Sequence, residues 1–224
     1  MTKTIYKIDE LTYSVLHDEQ MDKTKKHPAL IFLHGAGSRG TDINRLFNNP
    51  FFGKTSKAMD YDFVTVAPLC SQFSWFDHLH ELKKMVKEIA ALEYVDEDRI
   101  YLIGASMGGY ATWQLAMSMP EYFAAIAPIC GGGIYAFAER LVNTPIWAFH
   151  GAKDDVVFVE ESERMVNAVN KAGGCAKLTI YPENSHNAWS DTYANKEVFE
   201  WMLSHKRQST EEIADSIHNS EIYG

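Results

Sequence analysis

The run of residues 99–110 constrains this chain more than any other stretch, and it reads Arg-Ile-Tyr-Leu-Ile-Gly-Ala-Ser-Met-Gly-Gly-Tyr. Its first part is apolar and β-prone up to Ile103, which indicates a buried strand. Gly104 and Gly108 then bracket Ser106, and a sharp strand-to-helix turn needs glycine there because side chains would collide as the backbone doubles back. The pattern predicts that Ser106 is strained and exposed, at a sheet edge and a helix N-terminus. A plain glycine–serine turn is the alternative, because Gly-x-Ser-x-Gly alone is frequent.

Composition limits the fold and the partners. The chain has 224 residues, of which 46% are hydrophobic and 23% charged, and this size favours one α/β domain with a substantial core over two domains. The net charge of -9 leaves no basic stripe for phosphates, so we do not expect nucleic acid as a partner. No apolar run is long enough for a membrane span, and residues 1–7 lack the apolar core of a signal peptide. We therefore expect a cytoplasmic protein without a membrane span.

Strand and helix patterns alternate along the chain. Short apolar runs predict strands, and apolar residues spaced by three and four predict amphipathic helices. The predicted strands cover residues 11–16, 29–33, 63–68, 99–103, 124–129, 146–149 and 178–181, and the predicted helices cover 79–92, 107–119, 159–172 and 195–205. This alternation requires crossover connections, which predicts an α/β fold with a doubly wound, mostly parallel sheet. We expect residues 1–205 to form a single domain and the polar tail 206–224 to fray.

Four of the predicted strands are followed by residues that can do chemistry. The first is followed by the glycine loop 34–37, and the others by Ser106, Asp154 and His186. Ligands of such sheets bind at the carboxyl ends of the strands. Because each of these residues comes just after an apolar run, we expect all four to meet at the same edge of the sheet.

A nucleophile and its base can be assigned within this set. A serine hydroxyl is a poor nucleophile near neutral pH unless a base removes its proton. Among the nine histidines, His186 follows the last strand in a loop from which its ring can reach Ser106. We expect His34 to order its glycine loop and His150 to pack or hydrogen-bond beneath the turn that holds the acid. The pattern predicts Ser106 as nucleophile and His186 as base.

The imidazole also needs a carboxylate that holds it in the right tautomer. Asp154 and Asp155 both follow the strand 146–149, in the pattern His-Gly-x-x-Asp-Asp. We favour Asp154, because the turn brings the first aspartate back over the sheet edge, and Asp155 is the alternative. A capping or surface role is the competing interpretation of either carboxylate. With Asp154, the chain order is nucleophile, acid, base, as on this sheet architecture.

The remaining site residues are an oxyanion site and a pocket. The backbone amide of Met107, first in the predicted helix, and that of Ala36 in the glycine loop are the candidate oxyanion donors. We find no cysteine and histidine spacing suited to zinc, so no metal is expected. Aromatic and aliphatic side chains near the site are candidates for lining a substrate pocket, and each could equally be core: Trp75, Tyr110 and Trp189, together with Phe76, Ile134 and Tyr135.

These motifs together resemble an α/β-hydrolase. The segments that carry the resemblance are 33–37 (Leu-His-Gly-Ala-Gly), 104–109 (Gly-Ala-Ser-Met-Gly-Gly), 150–154 (His-Gly-Ala-Lys-Asp) and 185–189 (Ser-His-Asn-Ala-Trp). They are most similar to small phospholipase/carboxylesterase-like and predicted-peptidase esterases, a group that includes feruloyl and acetylxylan esterase relatives. The Trp-Phe-Asp stretch 75–77 is similar to one in carboxylesterases of that group. No insertion between the strands 124–129 and 146–149 is long enough for a cap domain, so we expect an open, shallow pocket.

The resemblance implies a serine esterase that cleaves small carboxylic esters through an acyl-enzyme and needs no cofactor. The same three side chains could instead act on acyl-thioesters or small peptide amides. A non-catalytic binding protein with a hydrolase-like fold is a third hypothesis, although such proteins usually lose one of the three residues. Exposed apolar residues around an open site would allow a second subunit to cover it, which gives a homodimer as the partner hypothesis.

Overall fold

The computed structural model describes residues 1–58 and 63–207, and its centre is an eight-stranded sheet. The strands are β1 (Thr2–Ile8), β2 (Leu11–His17), β3 (His27–Leu33), β4 (Val64–Leu69), β5 (Val95–Ala105), β6 (Ala125–Ile129), β7 (Ile146–Gly151) and β8 (Ala176–Tyr181). They lie in the order β1-β2-β4-β3-β5-β6-β7-β8. β2 pairs antiparallel with β1 and β4, whereas all pairs from β4 to β8 are parallel. The prediction of a mostly parallel sheet is confirmed.

Helices cover both faces of the sheet. They are α1 (Pro50–Ala58), α2 (Leu79–Ala90), α3 (Met107–Ser118), α4 (Glu160–Lys171), α5 (Trp189–Ala194) and α6 (Lys196–Leu203). Helices α2, α3 and α4 contribute to one buried apolar cluster, and α1, α5 and α6 to the other. In β3, Ile31 and Leu33 face the first cluster, and Leu30 and Phe32 face the second. This alternation along a fully buried strand confirms the doubly wound arrangement.

Some elements differ from the prediction. β1 was not predicted because it is an edge strand whose side chains are mostly exposed, so it lacks an apolar pattern. Helix α1 was not predicted either, and it begins at Pro50, where proline's missing N–H needs no intrahelical partner. The short helix α5 was also missed. Between β6 and β7 lies one 3-10 segment, Tyr135–Leu141, so this connection holds no cap domain.

The predicted tail begins with residues that are bound to the domain. Arg207 donates from Nε to the Asp98 carboxylate at 2.7 Å and from its backbone amide to the Asp98 carbonyl at 2.9 Å. Residues 208–224, the rest of the tail predicted to fray, lie outside the described residues. Within 1–58 and 63–207, every helix is too short or too polar to cross a membrane.

Candidate active site

Ser106 occupies the turn between β5 and α3. Its backbone has φ 56° and ψ −118°, a left-handed conformation that is unusual for a residue with a side chain. Two glycines make the turn possible. A Cβ on Gly104 would lie 2.4 Å from the Gly108 carbonyl oxygen, and a Cβ on Gly109 would lie 2.4 Å from the Ile129 carbonyl oxygen. The turn therefore has the strained geometry that the sequence predicts.

The three predicted side chains meet at the carboxyl edge of the sheet. His186 Nε2 lies 2.9 Å from Ser106 Oγ, and His186 Nδ1 lies 2.8 Å from Asp154 Oδ2. The carboxylate acceptor requires the proton on Nδ1, which leaves Nε2 free to accept the serine proton. The alternative aspartate, Asp155, is exposed and has no such contact. The geometry thus selects Asp154.

Asp154 is buried and fully hydrogen-bonded. Its Oδ1 accepts the backbone amides of Val156 and Val157, both at 2.9 Å, while its Oδ2 faces His186. Burial alone would raise the pKa of this carboxyl, but the hydrogen bonds from His186, Val157 and Val156 outweigh it and hold the pKa below its ordinary value. Asp154 is therefore a carboxylate at neutral pH.

Two backbone amides are available beside Ser106. Met107 begins α3, and Ala36 begins the 3-10 turn Ala36–Ser38 that follows β3. Amides in the first position of a helix have no intrahelical acceptor. A Cβ on Gly35 would lie 3.6 Å from the Ser106 Cβ, so the loop after β3 approaches the serine closely. This approach is what an anion site made of two amides requires.

Two side chains of the loop, His34 and Arg39, hold it in place. His34 Nδ1 donates to the Gly35 carbonyl at 2.7 Å, and His34 Nε2 accepts the Cys70 amide at 3.0 Å. Burial lowers the pKa of His34 to about 4, so the ring is neutral at neutral pH. Arg39 donates from Nε to the Ala36 carbonyl at 3.1 Å. The loop is thus held by the buried His34 on its inner side and by the exposed Arg39 on its outer side.

Trp75 does not have the predicted place in a pocket. It is 1% exposed, and its indole N–H donates to the His34 carbonyl oxygen at 2.9 Å. The stretch that contains it forms a 3-10 turn over residues 75–78, which turns this side chain into the core. Trp75 therefore supports the glycine loop from inside the protein.

The other predicted pocket residues lie nearer the surface. Trp189 is half-buried and packs edge-on against the His186 ring, with centroids 5.3 Å apart. Tyr110 is half-buried on α3, and burial raises the pKa of its phenol. Phe76, Ile134 and Tyr135 are all more than half exposed.

Two further residues lie near Asp154. One is His150, which was predicted to pack or hydrogen-bond beneath the turn that holds the acid, and its Nε2 lies 2.8 Å from the Val157 carbonyl oxygen in that turn. His150 Nε2 lies 3.2 Å from Asp154 Oδ2, and the spacing of four residues in the His-Gly-x-x-Asp pattern is the signal for this contact. Cys130 follows β6 and is fully buried, and burial raises the pKa of its thiol. The Cys130 sulfur, an Asp154 oxygen and a His186 nitrogen lie within 4.8 Å of one another. A metal there would have to break the Asp154–His186 hydrogen bond, so we assign no ion to this group.

Comparisons with known proteins agree with this fold. The crystal structure of a thermostable esterase aligns with a TM-score of 0.79 and 32% identity, over 92% of this chain and 63% of that chain. Est1E from Butyrivibrio proteoclasticus aligns with a TM-score of 0.69 and 15% identity, over 90% of this chain and 99% of that chain, and at this identity it shows the fold alone.

A curated relative is dipeptidyl-aminopeptidase B from Aspergillus niger, which is 23% identical over 265 aligned positions. The alignment covers 96% of this chain but only 29% of that enzyme, so the chain spans less than a third of its length. The model of the dienelactone hydrolase family matches residues 52–213, which include Ser106, Asp154 and His186. Since this match covers well over half of the chain, and the sheet and the structural neighbours confirm the α/β-hydrolase resemblance, the chain belongs to the dienelactone hydrolase family.

Proposed function

We propose that this protein is a serine hydrolase that cleaves carboxylic esters through an acyl-enzyme, with Ser106, His186 and Asp154 as its catalytic residues. The observation that carries the proposal is the continuous hydrogen-bonded chain from Ser106 Oγ through His186 to Asp154 Oδ2, with distances of 2.9 and 2.8 Å. The strained backbone of Ser106 supports it, because residues with strained backbone conformations cluster at active sites.

Acylation follows from this geometry. Ser106 Oγ attacks the ester carbonyl carbon as its proton passes to His186 Nε2, and the carbonyl oxygen becomes an oxyanion. The amides of Met107 and Ala36 would donate to that oxyanion, and removing one such donor typically costs ~3 kcal/mol of transition-state stabilisation. Collapse of the intermediate breaks the C–O bond of the ester, and His186 returns the proton to the departing alcohol.

Deacylation repeats these steps with water. His186 Nε2 takes a proton from water, the resulting hydroxide adds to the acyl carbon, and the Ser106–acyl bond then breaks with return of the proton to Ser106 Oγ. The products are a carboxylic acid and an alcohol. Asp154 stays ionised throughout and stabilises the imidazolium that forms twice in each cycle.

The ester class is supported by the surroundings of the site. Several large apolar side chains are exposed in the loops that follow β4, β6 and β7, and they include Phe76, Ile134 and Phe158. Exposed apolar side chains at this edge of the sheet suit a small apolar ester. Similarity to a thermostable esterase, at 32% identity, also favours this class.

Peptide amides are the second candidate, because a curated relative is a dipeptidyl-aminopeptidase. The same three residues, Ser106, His186 and Asp154, would catalyse the cleavage of an ester, a thioester or an amide. The matched part of that enzyme is less than a third of its length, so its substrate does not transfer directly. A homodimer and a cytoplasmic location stay predictions.

The test is a fluorophosphonate label followed by a substrate panel. Wild-type protein should be labelled at Ser106, and Ser204→Ala, which replaces an exposed serine at the end of α6, should be labelled equally. Ser106→Ala should not be labelled. On p-nitrophenyl esters from acetate to octanoate, the wild type should release a burst of p-nitrophenol that Ser106→Ala lacks.

The outcomes separate the candidate functions. Labelling with turnover of esters, but not of matched dipeptide anilides, supports the esterase. Labelling with faster turnover of the anilides, or of thioesters, would show that the same three residues cleave amides or thioesters in preference to esters. A wild type that is neither labelled nor active on any member of the panel would show a non-catalytic binding protein.

A further inference from the structure

A second imidazole contacts the same oxygen of Asp154 as His186 does. His150 lies at the end of β7 and is fully buried. Its Nε2 lies 2.8 Å from the Val157 carbonyl oxygen and 3.2 Å from Asp154 Oδ2. A carbonyl and a carboxylate can only accept, so Nε2 must carry a proton.

The other nitrogen of His150 also faces an acceptor. Nδ1 lies 2.7 Å from Ser162 Oγ on α4, and this hydroxyl donates its single proton to the Gly131 carbonyl oxygen at 2.8 Å. With that proton committed, the hydroxyl can only accept from Nδ1. All contacts of the ring are therefore satisfied when both of its nitrogens are protonated.

Charge balance leads to the same assignment. The side chains of Asp154 and His150 are both 0% exposed, and an ionised carboxylate in such a place needs a partner of opposite charge. His186 cannot be that partner in the resting site, since it must be neutral to accept the serine proton. His150 is the other basic group in contact with Asp154.

We propose that His150 is an imidazolium ion that balances the charge of Asp154, and that it is a positioning residue which keeps His186 neutral and oriented for Ser106. The inference rests on the proposed function of these three residues. Because His150 and His186 share Asp154 Oδ2, a charge on His150 disfavours a second charge on His186. A charge on His150 therefore favours the neutral form of His186, which is the form that can accept the serine proton.

Other ionisable groups around this pair come from several elements. Cys130 follows β6 and Tyr110 lies on α3. Burial raises the pKa of both groups, and the negative charge of Asp154 contributes to the raised pKa. Both groups are therefore neutral at neutral pH and do not supply the missing positive charge. Glu161 on α4 adds negative charge near Tyr110 and pairs with Arg164.

The charge can be measured without reference to activity. Long-range 1H–15N spectra distinguish an imidazolium, which has two protonated nitrogens, from a neutral ring with one. The signal of His150 is identified by its absence in His150→Gln, whose neutral amide can still donate towards Asp154 and Val157. We expect two protonated nitrogens on His150 in the wild type at neutral pH. A single protonated nitrogen there would overturn the proposal, whether or not the protein hydrolyses esters.

Kinetics test the positioning role. In His150→Gln, the acid limb of the kcat/KM profile for a p-nitrophenyl ester should move up by about one pH unit, because the like charge near His186 is gone. Ser162→Ala removes the hydroxyl that accepts the proton of His150 Nδ1. This variant should move the acid limb in the same direction by a smaller amount, and it replaces His150→Gln in the test if that variant does not fold. A fall in kcat/KM by one factor at every pH would show a merely structural role and contradict the proposal. If the wild type is inactive on all esters, the proposed function fails while the spectra still report the charge of His150.

Discussion

Gly108 lies directly beneath the end of β3, where a Cβ on it would be 1.9 Å from the carbonyl oxygen of Leu33. That oxygen belongs to the backbone of a central strand, so it cannot move aside as a flexible side chain could. The next residue after Leu33 begins the glycine loop of the candidate active site. One glycine therefore sets the distance between the helix that follows Ser106 and the loop that contains Ala36.

Gly108→Ala should destabilise the protein by about 1–3 kcal/mol or more, because the added methyl must push α3 away from β3. The measurement is the free energy of unfolding in urea. Gly40→Ala is the matched control, since a Cβ on Gly40 meets nothing within 4 Å. Equal stability of the two variants would contradict the close packing of α3 on β3.

Much of the sheet could be predicted because its central strands are buried on both faces. β3 is buried along its whole length, and it reads as an apolar run with a clear end at His34. The Gly-x-Ser-x-Gly motif alone is frequent. It indicated a nucleophile only because a candidate acid, Asp154, and a candidate base, His186, come directly after other strands of the same sheet. Topology then brought Asp154 and His186, which are 32 residues apart, into contact.

What could not be predicted depends on contacts between distant parts of the chain. The sequence left Trp75 as either a pocket or a core residue, and what decides is a buried acceptor for its indole N–H, the carbonyl oxygen of His34, 41 residues earlier. β1 has no alternating apolar pattern because it is the edge strand of the sheet and most of its side chains are exposed. The choice between Asp154 and Asp155 needed the turn itself, in which two amides fix the first carboxylate.

Asp154→Asn should lower kcat for ester hydrolysis by roughly 10⁴-fold. The amide can present its NH₂ group to His186 and so hold the ring in the wrong tautomer, with no acceptor left for the serine proton. Asp155→Asn changes an exposed neighbour and should leave kcat within about twofold, since surface changes are usually small. Steady-state kinetics on one p-nitrophenyl ester compare the two. If Asp155→Asn caused the larger loss, the assignment of the acid would be wrong.

His34 should make the stability of the protein depend on pH. Burial lowers its pKa from 6.5 to about 4 in the folded state. Between about pH 6.5 and pH 4, His34 is therefore protonated in the unfolded chain but neutral in the folded protein. Because the unfolded state binds the extra proton, the free energy of unfolding falls as the pH falls from 6.5 towards about 4. The loss should be on the order of 3 kcal/mol.

Urea unfolding of the wild type and His34→Asn over this pH range measures the effect. The variant should be less stable than the wild type near neutral pH, because it loses the acceptor of the Cys70 amide. The gap should narrow towards pH 4, since asparagine does not titrate. His80→Gln, which replaces an exposed histidine, should keep the wild-type profile. A gap between the wild type and His34→Asn that is constant with pH would refute the burial argument.

Trp75→Phe should weaken both stability and turnover. Phenylalanine fills most of the same space but leaves the His34 carbonyl oxygen without its donor, and an unsatisfied buried acceptor costs about 1–3 kcal/mol. Because this carbonyl lies at the start of the glycine loop, the Ala36 amide should be held less firmly, and kcat should fall about tenfold, less than for loss of an oxyanion donor. Phe76→Leu, at the exposed neighbouring position, should change the free energy of unfolding by no more than about 0.5 kcal/mol. A Trp75→Phe variant with wild-type stability and kcat would show that the indole does not support the loop.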